Sequence, residues 1–190
     1  MTRTELPLRL LPRLARRWPV FALRAALALA CAAFFALNPA PTFYSAQLVF
    51  GGYALLDGAL SLFIESNPDR TRYRWALLIE GLGGFLLAFI TLVAAGLSPR
   101  GLVQFIALWL VLRGLTEAVA GLRLRAERPA MFGLLAAGGA ALLGGVLLFA
   151  LSNQGILPLQ PLVALALAAS AALLLLTTRQ LRAAAAKLEV

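Results

Sequence analysis

WALLIEGLGGFLLAFITLV, Trp75–Val93, holds one ionisable side chain, Glu80, in nineteen residues. A helix needs about 20 predominantly apolar residues to cross the hydrocarbon core of a bilayer, and with Ala94 and Ala95 this stretch reaches that length. Working outward from it, the chain offers six such runs: Pro19–Leu37, Thr42–Ile64, Trp75–Ala95, Gly101–Leu122, Ala130–Leu151 and Leu157–Thr178. The connections are short and hold Pro, Gly or Asn, the residues that interrupt helices: NPAPTF (Asn38–Phe43), ESNPDRTR (Glu65–Arg72), GLSPR (Gly96–Arg100), RLRAERP (Arg123–Pro129) and SNQGILP (Ser152–Pro158). The expected fold class is all-α, a polytopic membrane protein with six transmembrane helices. A basic, loosely amphipathic arm (residues 1–18) precedes the membrane domain (19–178), and a short tail (179–190) follows it.

Composition agrees. Of 190 residues, 62% are hydrophobic and 13% charged, with a mean hydropathy of +0.88. Soluble domains run at roughly 45–50% apolar and about 25% charged. The net charge of +9 would suit nucleic acid, but too few polar residues remain to build a soluble fold that could present it. A lipid bilayer is the expected partner, not nucleic acid. The single cysteine, Cys31, lies in an apolar run and reads as a small packing residue.

The cations have a pattern. Arg3, Arg9, Arg13, Arg16 and Arg17 lie in the arm. Arg70, Arg72 and Arg74 follow the second span, Arg123, Arg125 and Arg128 follow the fourth, and Arg179, Arg182 and Lys187 follow the sixth. The three loops on the other side hold Arg100 alone. Lys and Arg concentrate on the cytoplasmic side of membrane proteins, so fourteen against one predicts cytoplasmic termini, with the bacterial inner membrane as the compartment. A basic start before an apolar run also fits a cleaved signal peptide; the length of the run and its place in an internal repeat weigh against that.

Trp18, Trp75 and Phe132 open the first, third and fifth spans at intervals of 57, which aligns Arg24, Gly81 and Gly138. On the returning spans, Asp57-Gly58, Arg113-Gly114 and Ser170-Ala171 recur at 56 and 57, Tyr53 matches Trp109, and Pro39, Pro99 and Pro158 mark the outer turns. This predicts three parallel two-helix repeats, about 18–70, 75–127 and 132–180. WALLIEGLGGFLLAFITLV with its LSP turn, LVFGGYALLDGALSLF and LVQFIALWLVLRGLTEAVAG carry a resemblance: the chain resembles the HdeD-type membrane proteins, a short-repeat family named for acid resistance. The resemblance implies a six-span bacterial inner-membrane protein and stops short of a defined activity. Arg24, where a small residue is expected, and Ser170-Ala171, without the charged-Gly pair, depart from the repeat.

Five ionisable residues fall within the spans: Arg24, Asp57, Glu80, Arg113 and Glu117. Such groups are costly in lipid and mark functional sites by default. At about 1.5 Å rise per residue, all but Arg113 lie about 8–10 Å from the cytoplasmic helix ends, with Arg113 one turn deeper. They form one layer. Its simplest use is a neutralised network that fixes helix register: Arg113 and Glu117 are i,i+4 partners, Asp57 reaches Arg24 or Arg113, and Arg24 has the option of snorkelling to the surface. Its sharper use is a protonation site, since three carboxylates against two arginines leave one acid in excess. Glu80, with no Arg near it in sequence, is the candidate.

Small residues one turn apart (Ala54/Gly58, Gly84/Ala88, Gly114/Ala118, Ala140/Gly144, Ala141/Gly145) suit close helix packing in lipid, with self-association through the last hairpin as the alternative use. Gln47 and Gln104, near the outer ends of the second and fourth spans, suit hydrogen bonding at the interface. The chain has no His, no GxSxG, no Walker loop and no HExxH, so neither enzyme, cofactor nor metal is expected. The expected function is non-enzymatic, in envelope or acid stress tolerance. The alternatives are a small proton or solute channel or transporter, and a membrane scaffold or assembly subunit that meets a second copy or another membrane protein.

Overall fold

The computed structural model describes residues 18–38, 41–65, 74–93, 97–123, 128–155 and 160–186. These form six helices: α1 Trp18–Leu37, α2 Phe43–Glu65, α3 Arg74–Val93, α4 Pro99–Arg123, α5 Arg128–Asn153 and α6 Gln160–Ala186. No strand occurs among the described residues. Five helices are long and apolar enough to cross a membrane, and the third contributes a shorter apolar stretch, Leu78–Val93. The protein is a multi-pass membrane protein. The arm as far as Arg17, the turn prolines Pro39 and Pro158, Arg70, Arg72, Arg125 and Lys187 lie outside the described residues, as does the side chain of Trp75.

Local chemistry sets the helix ends. Thr42 caps α2, its hydroxyl accepting from the Ser45 amide at 3.2 Å. Ser98 caps α4, accepting from Gly101 N at 3.0 Å, and Pro99 takes the first helical position, where its missing N–H costs nothing. Gly155 closes α5 at φ 73°, the left-handed terminus that favours glycine. At the C-terminus the helix outruns the expected span. No breaker follows Thr178 and Ala183–Ala186 are strong helix formers, so α6 continues through Arg179 and Arg182 to Ala186, converting much of the expected tail into helix.

The helices alternate in direction. Those packed broadly together are α4 with α5, α2 with α3, and α1 with α6, followed by α5 with α6; α3–α4 and α1–α2 are narrower. First and last helices thus lie side by side and close the bundle. The broad seams join the expected two-helix units to one another rather than running within the first two of them. Two of these seams are glycine contacts. A Cβ on Gly58 would lie 2.9 Å from the Gly81 carbonyl oxygen, and one on Gly114 would lie 2.6 Å from that of Gly138. In both places only glycine allows the backbones so close. Gly84 sits likewise on the Ala54 carbonyl at 2.9 Å, while Gly144 meets the Ala166 Cβ at 2.8 Å. Large apolar side chains such as Leu82, Phe85 and Phe89 on α3 and Leu143 and Val146 on α5 point outward, where the bilayer solvates them.

Two apolar clusters fill the interior. The smaller, at the Trp18 end, joins Phe21, Ala25, Ala120, Leu134 and Leu174, with Trp18 and Met131 against it. The larger runs toward the Phe43 end through Phe35, Cys31, Phe50, Ile106, Trp109 and Leu110. Cys31 is a buried packing residue there. At the Trp18 end the Arg182 guanidinium stacks on the Trp18 ring at 5.0 Å, a cation–π contact that joins α6 to α1.

Candidate functional site

All five intramembrane ionisable residues meet between the two apolar clusters, each at most 5% exposed. Arg24 on α1 forks onto Asp57 of α2, Nε donating to Oδ1 at 2.8 Å and Nη2 to Oδ2 at 3.1 Å. Arg24 Nη2 also donates to Glu80 Oε1 on α3. From α4, Arg113 Nη1 approaches Asp57 Oδ2 at 3.8 Å, and Arg113 Nε donates to Glu117 Oε1 at 2.9 Å, the i,i+4 pair. Glu80, Arg24, Asp57, Arg113 and Glu117 therefore form an alternating chain of acid and base across four helices. Alternation is what burial requires, because a charge removed from water is tolerable only when paired and hydrogen-bonded.

Two neutral groups complete the network. Tyr53, one turn before Asp57, accepts at its hydroxyl from Arg113 Nη1. Thr116 lies 3.0 Å from Glu80 Oε2 and 2.8 Å from the Arg113 carbonyl. In the sequence Tyr53 stands out only as a repeat landmark, and Thr116 does not stand out at all. Helical spacing held the signal: Tyr53 and Asp57 are four apart, and Thr116 is three after Arg113, so each shares a face with a charge.

Three expectations change. Arg24 does not snorkel; its side chain is 3% exposed and turns inward to the carboxylates. Asp57 does not choose between the arginines but lies against both. Glu80 is isolated from arginine in sequence but not in space, because α1 brings Arg24 to it. Gln47 donates to the Thr91 carbonyl, and Gln104 donates to Asn153 Oδ1 at 3.0 Å alongside Arg100; both bonds run between helices.

The chain matches the model of the "Short repeat of unknown function (DUF308)" over residues 23–93 and again over 79–150. Together the windows cover more than half of the chain. It belongs to this short-repeat family. The two matches are displaced by 56 residues at their starts and 57 at their ends, the same interval that separates Gly58 from Gly114 and Gly81 from Gly138. An internal repeat is therefore present, and in this chain the seam glycines recur at its interval. No curated protein and no solved structure matches the chain.

Within this short-repeat protein, no three His, Cys, Asp or Glu side chains among the described residues converge as a metal-ligand set. A cavity of about 260 Å³ opens near the Phe43 end between α1, α2, α4 and α6, lined by Phe35, Phe43, Ile106, Val163 and Gln160 among others. No member of the charge layer lines it. The layer's chemistry is accordingly internal: it can fix the register of α1–α4 and hold or release a proton.

Proposed function

We propose that this short-repeat protein is a non-enzymatic protein of the bacterial inner membrane, of the HdeD type, with both termini cytoplasmic and three parallel two-helix repeats. Its role is envelope and acid stress tolerance, stabilising the membrane or limiting proton and solute leakage. One observation carries this reading: every member of the charge layer is buried and none lines the cavity at the Phe43 end, which suits a locked bundle better than a conducting one. In lipid the helices gain little from burying apolar surface against one another, so the ion pairs and the glycine seams are the terms that select this packing.

The test has two arms. Cells lacking the protein should survive acid challenge less well, and restoring it should rescue them; equal survival would remove the stress role. Purified protein in liposomes loaded with a pH-sensitive dye should leave acid-driven proton entry unchanged or lowered. Entry that rises with the protein and falls in Glu80→Gln would establish instead the second reading, a small channel. That reading draws on the cavity at the Phe43 end, which is the one observation favouring it.

A further inference from the structure

Thr116 stands between two oxygens that both call on its one proton. Its Oγ1 is 2.8 Å from the Arg113 carbonyl and 3.0 Å from Glu80 Oε2. A threonine hydroxyl donates once and accepts through its lone pairs, whereas an ionised carboxylate only accepts. In helices the hydroxyl commonly donates back to a carbonyl one turn earlier, here that of Arg113. With that proton spent, an ionised Glu80 would press oxygen lone pairs against Thr116 with no hydrogen between them. A proton on Glu80 Oε2 resolves the conflict. Oε2–H donates to Thr116, Thr116 donates to the Arg113 carbonyl, and Oε1 accepts from Arg24.

Charge balance gives the same answer independently. Arg24 is matched by the fork to Asp57 and Arg113 by Glu117, which leaves Glu80 as the third acid against two bases. The groups that face it are Arg24 from α1, Asp57 from α2, and Arg113 and Glu117 from α4; α5 and α6 bring no charged side chain to the layer among the described residues. Arg24 is thus shared by two carboxylates, and a buried negative charge in excess of the positive ones is costly. One proton removes it.

We propose that Glu80 is the proton-binding site of the network, a carboxylic acid that donates to Thr116 and accepts from Arg24, so that the layer is electrically neutral in the membrane. The site follows from hydrogen-bond geometry and charge count, whatever the protein's physiological role. Glutamine reproduces the arrangement, its carbonyl accepting from Arg24 and its amide donating to Thr116. The proton's contribution to stability is present while Glu80 holds it and is lost as rising pH removes it.

Infrared spectra of the protein in lipid membranes at neutral pH should contain a buried carboxylic-acid carbonyl band. The band should vanish in Glu80→Gln, persist in Glu117→Gln, and move in Thr116→Val, which cannot accept the hydrogen bond. Absence of the band in the wild type, or its survival in Glu80→Gln, overturns the assignment. As a second reading, Glu80→Gln should unfold at the wild-type temperature at neutral pH and change less than the wild type as the pH is made alkaline. A destabilised or unfolded Glu80→Gln, or one with the same alkaline dependence as the wild type, also overturns it.

Discussion

Asp57 has arginine on two sides, and its substitution separates a lock from a decoration. Asp57→Asn keeps the shape but leaves Arg24 and Arg113 without the charge between them. Removing one partner of a buried ion pair costs about 3–5 kcal/mol, so the variant should unfold in detergent well below the wild type. A midpoint within error of the wild type would show that the arginines do not depend on Asp57. Tyr53→Phe removes only the hydroxyl that accepts from Arg113 and should cost less, about 1–3 kcal/mol, in the same measurement. At this scale the sequence is half legible. Charges within apolar runs announce themselves, and helical rise puts them at one depth, but which helix delivers a countercharge to Glu80 depends on how α1 is rotated and packed. Local spacing carries no information about that, which is why Arg24 looks remote from Glu80 on paper and touches it in the fold.

Two helices meet at the Gly114–Gly138 contact with an added Cβ only 2.6 Å from the opposing carbonyl. Gly138→Ala therefore forces α5 away from α4, and overpacking of this kind costs about 1–3 kcal/mol. Gly139, its neighbour, has nothing within 4 Å of the same position, so Gly139→Ala should be neutral or gain up to about 1 kcal/mol from helix propensity. The paired thermal unfolding curves check both; similar effects at the two positions would mean that the seam is not rigid. Element existence was readable from the length of the apolar runs, and the recurring small residues pointed to close packing. The direction of that packing was not readable. A repeat of two spans suggests that each hairpin is the packing unit, yet Gly58, Gly81 and Gly114 face the neighbouring unit instead. The extension of α6 to Ala186 was hidden for a different reason: hydropathy marks where a helix leaves lipid, not where it stops.

The whole bundle is closed by the contact of α1 with α6, helices separated by most of the chain and joined by no connection. Closure cannot be inferred from consecutive spans, because an open row of three hairpins would show the same hydropathy. The Arg182 guanidinium on the Trp18 ring at 5.0 Å marks where the two helices meet, and it offers a direct test. A protein carrying Trp18→Cys and Arg182→Cys, in membranes, should be joined within one chain by a short bifunctional thiol reagent. Cys31, 3% exposed, should react little by comparison. Replacing the second site by Gln154→Cys places the thiols at opposite ends of the bundle, since α5 ends near the start of α4 through the Gln104–Asn153 bond, and that pair should not be joined. Equal joining of both pairs would reveal nonspecific reaction, and joining of neither would leave the ring open at α1 and α6. A closed ring also makes the charge layer intelligible: Arg24 is held in the interior because α6 covers the back of α1. Opening that seam should therefore weaken the layer, so a variant of α6 that loses the 18–182 link should also lose the stability difference between wild type and Asp57→Asn.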